Sequence, residues 1–361
     1  MKKFTKLALV SSLAISANAM AMQAMDDATL GATTGQDGIN IGIGLSKIEI
    51  AKLFIHDTNG LAALGPVVTN TPNPGDTRAA AQGDAGFGGT TTAGAISIKG
   101  NGIAGHVNEN NGIVISAPVN AAGTAYDLTR MLATGHLADL SIDSDAGTGT
   151  GNTAFINIAA KVSGLDIAIG EIGVTASNAA PVAGATTIRR GGNDANYNKV
   201  LSGLTLKTGK MDANIQVGAS PQGAMIILDT TMIGGLEITN LGILDNSTKL
   251  GTGAGTTAAN RAAGEIHIDS IKVASANSTD LAVDAKVSVY GKTDTSNGYL
   301  QIVAGTKNTT GTDIYVSGVK LGSSAAASIG DIEVQGLKTY YNPTGAFGAN
   351  VIGTAITVSG H

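Results

Sequence analysis

The chain reads as an all-β protein: an elongated array of many short strands, β-solenoid-like or a β-sandwich or prism, with long Gly/Thr/Asn-rich loops and very little helix. Three observations predict this. Of 361 residues, 51 are glycine and only 14% are charged, yet 43% are hydrophobic. Disorder needs low hydrophobicity and high charge, whereas this composition asks for many tight turns between apolar strands. There is no Trp and only five Phe, so thin layers must be filled by Ile, Val, Leu and Ala. The third observation is a recurring pattern: apolar, any, apolar, any two, apolar, any, apolar.

The pattern appears as Ile48, Ile50, Leu53, Ile55 and again as Ile167, Ile169, Ile172, Val174. It returns as Leu236, Ile238, Leu241, Ile243, then Ile266, Ile268, Ile271, Val273, then Ile314, Val316, Val319, Leu321. A looser copy holds Ile332, Val334 and Leu337. On a helix these positions form no single stripe. On a strand each pair lies on one face, and the two-residue spacer switches the face. A bulge, a corner, or passage from one sheet to another does that. The copies are unevenly spaced, so they are coils with loop insertions or an antiparallel array with variable connections.

Taken in order, the chain opens on Lys2, Lys3 and Lys6, a short apolar run from Leu7 to Ser16, and overlapping small-x-small sites ending at Ala19 and Ala21. This is a secretory signal peptide over residues 1–19, with cleavage after Ala19 or Ala21. Residues 20–37 form an acidic segment and turn. Ile39, Ile41, Ile43 and Leu45 then alternate with Asn40, Gly42 and Gly44 in a strand whose second face is nearly bare. Further strands are expected from Ala95, Gly112, Ala154, Leu204, Ala213, Ala224, Leu281, Tyr299 and Ala355. Asn110–Gly112 reads as a hairpin turn, because Asn-Gly accepts positive φ. Gly65–Ala95, Ser177–Val200 and Asn246–Gly264 read as long loops. The helix candidates are one turn capped by Asp26 and Thr124–Ala133. Two β-rich regions follow, 38–180 and 181–361, the latter carrying the repeated strand pairs; they form either separate units or one continuous domain.

Without the three signal lysines the net charge of −5 becomes −8, the opposite of the basic face that nucleic acid requires. No stretch of about twenty apolar residues follows the signal, so no transmembrane helix is expected. With no cysteine, stability must come from burial and backbone pairing. Motifs for chemistry are missing. Gly291–Thr293 lacks the upstream glycine of a phosphate loop, and no Gly-x-Ser-x-Gly elbow exists. His56, His106, His136, His267 and His361 show no metal spacing and read as surface or turn residues. Calcium is the one cofactor the residues suggest, at Asp143 and Asp145, although the twelfth position of an EF-hand loop is Ala154. A second such place is Gly191–Asn196, half of a nonapeptide-type repeat. Dispersed acids and the lack of Trp argue against a β-helical polysaccharide-processing enzyme; the chain is expected to be no enzyme.

The stretch from Met22 to Leu45 resembles the start of a family of exported gammaproteobacterial FilA-like pilus proteins. Met22, Met25, Asp27 and Leu30, then Thr34, Gly35, Gln36, Gly38 and Ile39 carry the resemblance, over some two dozen residues. It implies an exported structural subunit or assembly component of a pilus-like filament, passing through the periplasm to the cell surface. Its partners would be itself, other pilus subunits and assembly proteins. A surface adhesin binding through the long loops is the alternative. The residues themselves allow Ile39, Ile41, Ile43 and Leu45 to form an inter-subunit strand, or simply the first strand of the chain's own sheet.

Overall fold

The computed structural model describes residues 38–61, 90–149, 153–253, 256–257, 259–293 and 298–359. The signal peptide, the acidic segment and most of the first long loop lie outside the described residues, as does His361. Strands make up 55% of the described residues, and no α-helix occurs among them.

The chain runs back and forth as eight stacked rungs. The first holds β1 (Gly38–Ile43), β2 (Lys47–Ile50) and β3 (Lys52–Asp57). The second returns as β4 (Gly94–Lys99), β5 (Ile113–Ser116) and β6 (Ala138–Asp145). The third is β7 (Phe155–Val162), β8 (Asp166–Ile169) and β9 (Glu171–Ser177), and the fourth β10 (Gly192–Leu201), β11 (Leu204–Lys207) and β12 (Met211–Val217). β13 (Ile226–Met232) and β14 (Leu236–Asp245) make the fifth. After a small hairpin, β15 (Thr256–Thr257) and β16 (Asn260–Arg261), the sixth is β17 (Gly264–Ser275) and β18 (Leu281–Tyr290). β19 (Tyr299–Ala304) and β20 (Thr312–Leu321) form the seventh. The eighth is β21 (Ser328–Leu337) and, beyond the hairpin of β22 (Tyr340–Tyr341) and β23 (Val351–Ile352), β24 (Thr354–Val358).

Two large antiparallel sheets result. The first takes one strand from each rung, in the order β1-β6-β7-β12-β13-β18-β19-β24. The second has two limbs, β2-β5-β8-β11 and β3-β4-β9-β10, which meet on β14. β17, β20 and β21 extend it across both limbs. Because β2 and β3 are separated only by Ala51, the path through β14 nearly closes on itself in a barrel-like sheet. The ladder passes from residues 38–180 into 181–361 through the pairings of β7 with β12, β8 with β11 and β9 with β10. In backbone pairing each rung meets only its neighbours, as in a solenoid, but successive rungs run antiparallel and are joined by hairpins. Side chains reach further: Lys52 on the first rung donates to Asp194 on the fourth (3.0 Å).

The recurring pattern now has its cause. In each of the five full copies the first apolar pair lies on one limb and the second pair on the other. In the looser copy Ile332, Val334 and Leu337 all fall on one limb, Leu337 pairing with Thr312. In β14, β17 and β20 the strand passes through the corner, where pairing skips Asn240, Asp269 and Gly318 while the register is kept on both sides. Asn240 and Gly318 take positive φ there, 59° and 65°. The spacer is therefore a corner between limbs, with no extra residue between β14, β17 and β20; between β20 and β21 the register shifts at the same corner. On one limb the corresponding side chains line up as Ile48, Ile115, Ile167, Leu206, Ile238, Ile271, Val316 and Ile332. Each cross-strand contact of this kind adds about 0.2–1 kcal/mol. Full burial adds little: Ala95, Val114, Ala117, Ala168, Ala224 and Met232 are the only buried hydrophobic residues among those described.

What is buried in the bend between the two sheets is polar. Arg130 donates to the carbonyls of Thr208 (2.9 Å) and Leu165 (2.9 Å) and to Asp166 Oδ1 (2.7 Å). Ser163 Oγ donates to the His136 carbonyl and accepts from the Leu132 N–H. This explains why Thr124–Ala133 forms turns instead of the expected helix. The Asp127 carboxylate takes the N–H and O–H of Thr129, and the Arg130 side chain plugs the bend.

Three other expectations are corrected. Asn110–Gly112 is no tight hairpin turn, since the positive φ in that connection falls at Gly102 and Gly105. Gly112 is needed for a different reason: a Cβ there would stand 2.5 Å from the Ile98 carbonyl oxygen. Ser177–Val200 contains most of strand β10, whose irregular pairing is tied down by Asn196 accepting from Thr175 Oγ1 and the Ala176 N–H. Asn246–Gly264 holds one 3-10 turn at Asn246–Thr248 and the β15–β16 hairpin. Every strand read from the sequence within the described residues is present; β6, β10 and the two-residue strands β15, β16, β22 and β23 are additions.

Candidate functional site

The strand singled out by sequence is an outermost strand of the first sheet. β1 pairs with β6 along its whole length, setting Ile39 opposite Ile142, Ile41 opposite Leu140 and Ile43 opposite Ala138. Leu45 lies just beyond, in the connection to β2. All four side chains are exposed, Ile39 most at 62%. Among the described residues no strand pairs with the outer edge of β1, nor with that of β24 at the far side of the same sheet.

The bare face of β1 has a local cause. A Cβ on Gly42 would stand 2.4 Å from the His136 ring, and one on Gly38 would collide with the Asp143 carboxylate. Glycine leaves room for side chains leaning across from the second rung. Asn40 accepts a hydrogen bond from Ser141 Oγ in the same row. His136 Nδ1 lies 2.6 Å from Asp139 Oδ1, and Thr134 Oγ1 donates to Asp139 Oδ2 at 2.7 Å. These bonds, the Thr134 hydroxyl first, hold the Asp139 carboxyl below its ordinary value.

One cross-strand row crosses the whole first sheet: Ile39, Ile142, Ile158, Ile215, Ile226, Val287, Ile302 and Ile356. Sequence reading identified the apolar alternation of most of these strands but could not see that they share a row, since pairing is a tertiary fact. The opposite face is polar. A cleft of about 570 Å³ there holds Lys161, Lys210, Asp212, Asp229, Asp284 and Lys307. Its charges neutralise one another, and the Asp229 carboxylate raises the Lys307 ammonium above its ordinary value.

His267 departs from the surface position expected of it. It is buried at 8% exposure in central strand β17, with Nδ1 3.4 Å from Glu265 and Nε2 3.3 Å from Asp269. Lys320 Nζ donates to Asp269 at 2.7 Å and holds that carboxyl low. Asp143 and Asp145 lie in β6, with Asp143 paired opposite Asn157 and Gly38 rather than in a loop. No group of three or more His, Asp or Glu side chains that could hold a metal occurs among the described residues. No helix among them is long and apolar enough to cross a membrane.

Comparison with curated proteins and with solved structures finds no match. A family of unknown function, DUF6160, matches residues 1–217, which covers the opening rungs through β12. Over that majority of its length the chain belongs to the DUF6160 family.

Proposed function

We propose that the protein is an exported structural subunit or assembly component of a pilus-like surface filament, and that copies add to one another edge to edge. The observation that carries this reading is the pair of open edges, β1 on the first rung and β24 on the eighth. Successive rungs alternate in direction, and their number is even. The first rung of one copy would therefore meet the eighth rung of the next in antiparallel order, continuing the ladder. Continuing the rows sets Ile356 against Ile39 in the first sheet and Ile332 against Ile48 in the second, with Glu333 opposite Lys47. Asp331 would face Glu49, but its carboxylate is turned back to accept from Tyr315 Oη (2.7 Å) and the Gly318 N–H (2.9 Å). Head-to-tail contacts that do not close make fibres. The resemblance of Met22–Leu45 to FilA-like pilus proteins supports the same reading.

The test is negative-stain imaging of the purified exported chain, with and without a synthetic peptide spanning Gly38–Leu45. Filaments that shorten as the peptide occupies the β24 edge are the expected result. A chain that stays monomeric at all concentrations, or filaments indifferent to the peptide, would sink the reading.

A further inference from the structure

We infer that the apolar face of the first sheet is an interface for the same face of a second copy. This goes beyond edge-to-edge addition and stands without it. The face is defined by register: alternate residues of all eight strands, from Ile39, Ile41 and Ile43 on β1 to Thr354, Ile356 and Val358 on β24. No Asp, Glu, Lys, Arg or His stands on it. The charged residues of these strands, such as Asp139, Lys161, Asp212, Asp229, Asp284 and Lys286, all occupy the alternate positions of the other face.

The apolar face is exposed along its margins and half-buried in its middle, at Ile158, Ile215, Ile226, Val287 and Ile302. Ile39 is 62% exposed, Val217 53%, Val289 60% and Val358 55%, and of its large side chains only Met232 is buried. Eight strands about 4.8 Å apart, averaging about seven residues of about 3.4 Å, make a face on the order of 900 Å². That exceeds the largest apolar patch on most monomers, about 300–600 Å². It falls within the roughly 600–1,000 Å² that each partner buries in a stable complex.

The occupant must be as broad and as free of charge as the face it covers. Residues 22–37 offer Met22, Met25 and Leu30 as large apolar side chains, and residues 62–89 offer Leu64, Val67, Val68 and Phe87. Three or four such side chains match only a fraction of the Ile, Leu, Val and Met side chains that the face presents. A second copy brings a matching face of Ile and Val rows. Two such sheets pack about 10 Å apart with side chains interdigitated, and a two-fold axis makes one patch complementary to itself.

Sedimentation velocity on the exported chain tests this, comparing wild type with Val217→Lys/Val289→Lys and with Thr231→Lys on the opposite face. Both altered apolar positions are more than half exposed, so thermal unfolding is expected to stay near wild type. The expected result is a paired wild type, a paired Thr231→Lys protein, and a two-fold drop in mass for the double variant. A monomeric wild type, or a double variant of unchanged mass, overturns the inference. A benzophenone side chain at position 289 identifies the occupant directly. Cross-links to the first sheet of another copy support the interface, while cross-links to residues 22–37 or 62–89 of the same chain overturn it. The two readings separate in images: single filaments formed by the double variant keep edge addition while confirming that face pairing is distinct. Paired particles without filaments in the wild type remove edge addition alone.

Discussion

Ile39 and Ile356 stand in one cross-strand row at opposite edges of the first sheet, joined through Ile142, Ile158, Ile215, Ile226, Val287 and Ile302. A row that ends in the same residue type at both open edges can be continued by another copy without changing its chemistry. Exposed strand edges usually carry lysine, proline or bulges that block such pairing, and β1 carries none of these.

Ile39→Lys is therefore expected to leave the fold within about 0.5 kcal/mol of wild type, as exposed positions do, while abolishing filament growth. Combining it with Ile356→Glu is expected to restore growth in low salt and lose it again in high salt. Light scattering with negative-stain imaging reads both outcomes. A double variant that fails to recover would place the two rows apart in the filament.

Arg130 and Asp166 form a buried pair 2.7 Å apart, with side chains about 10% exposed. Arg130→Met takes the cation from buried Asp166 and the Arg130 donor from the Thr208 carbonyl, while the Leu165 carbonyl keeps the Thr208 N–H (3.0 Å). Removing one member of such a pair costs about 3–5 kcal/mol, to be measured by urea unfolding. Arg130→Lys is expected to recover little, since an ammonium cannot reach three acceptors in a fixed fork.

Gly203 joins β10 to β11 at the corner between the limbs with φ +110°, and a Cβ there would lie 2.8 Å from the Ile169 carbonyl oxygen. Gly203→Ala is expected to lower stability by at least about 1–2 kcal/mol, the cost of forcing a side chain into left-handed backbone. Gly223 also has positive φ but meets open space. Gly223→Ala carries backbone strain without the collision, so the excess loss at Gly203 measures the close approach.

Stability should be lost at both ends of the pH scale. The carboxyls of Asp139, Asp269 and Asp331 are held below their ordinary 3.8, by the Thr134 hydroxyl, the Lys320 ammonium and the Gly318 N–H respectively. A depressed folded value gives stability that is present above pH 3.8 and lost as pH falls below it. Burial, and then the Glu171 charge, pushes the Tyr197 phenol above its ordinary 10.0. A raised folded value gives stability that is present below pH 10 and lost as pH rises beyond it. Urea midpoints across pH should fall on both flanks, and Tyr197→Phe should flatten the alkaline one. An alkaline flank unchanged in that variant would show that another group is responsible.

Alternation was legible wherever one side chain in two was Ile, Val or Leu, which is why β7, β12, β18 and β24 could be read directly. β6 was missed because Asp139, Ser141, Asp143 and Asp145 dilute its short apolar set. β10 was missed because Asn193–Asn198 has no alternation; what keeps it in the sheet is Asn196 bonded to β9 and Lys99 lying 3.6 Å over the Tyr197 ring. Thr124–Ala133 has helical spacing, yet Arg130 gains more from carbonyls on other strands than a helix would give it. The burial of His267 depends on neighbours in β14 and β20 that sequence does not place beside it.

By itself, the sequence determined that the chain is all-β, which residues alternate, and that each repeated unit must bend at its two-residue spacer. Those are local consequences of side-chain period and glycine content. Only the tertiary structure decided that the bends stack into two limbs, that eight strands align their aliphatic side chains in single rows, and that β1 and β24 end up as open edges. Pairing between strands far apart in sequence is set by the whole ladder at once, and no single strand carries the information about its partner.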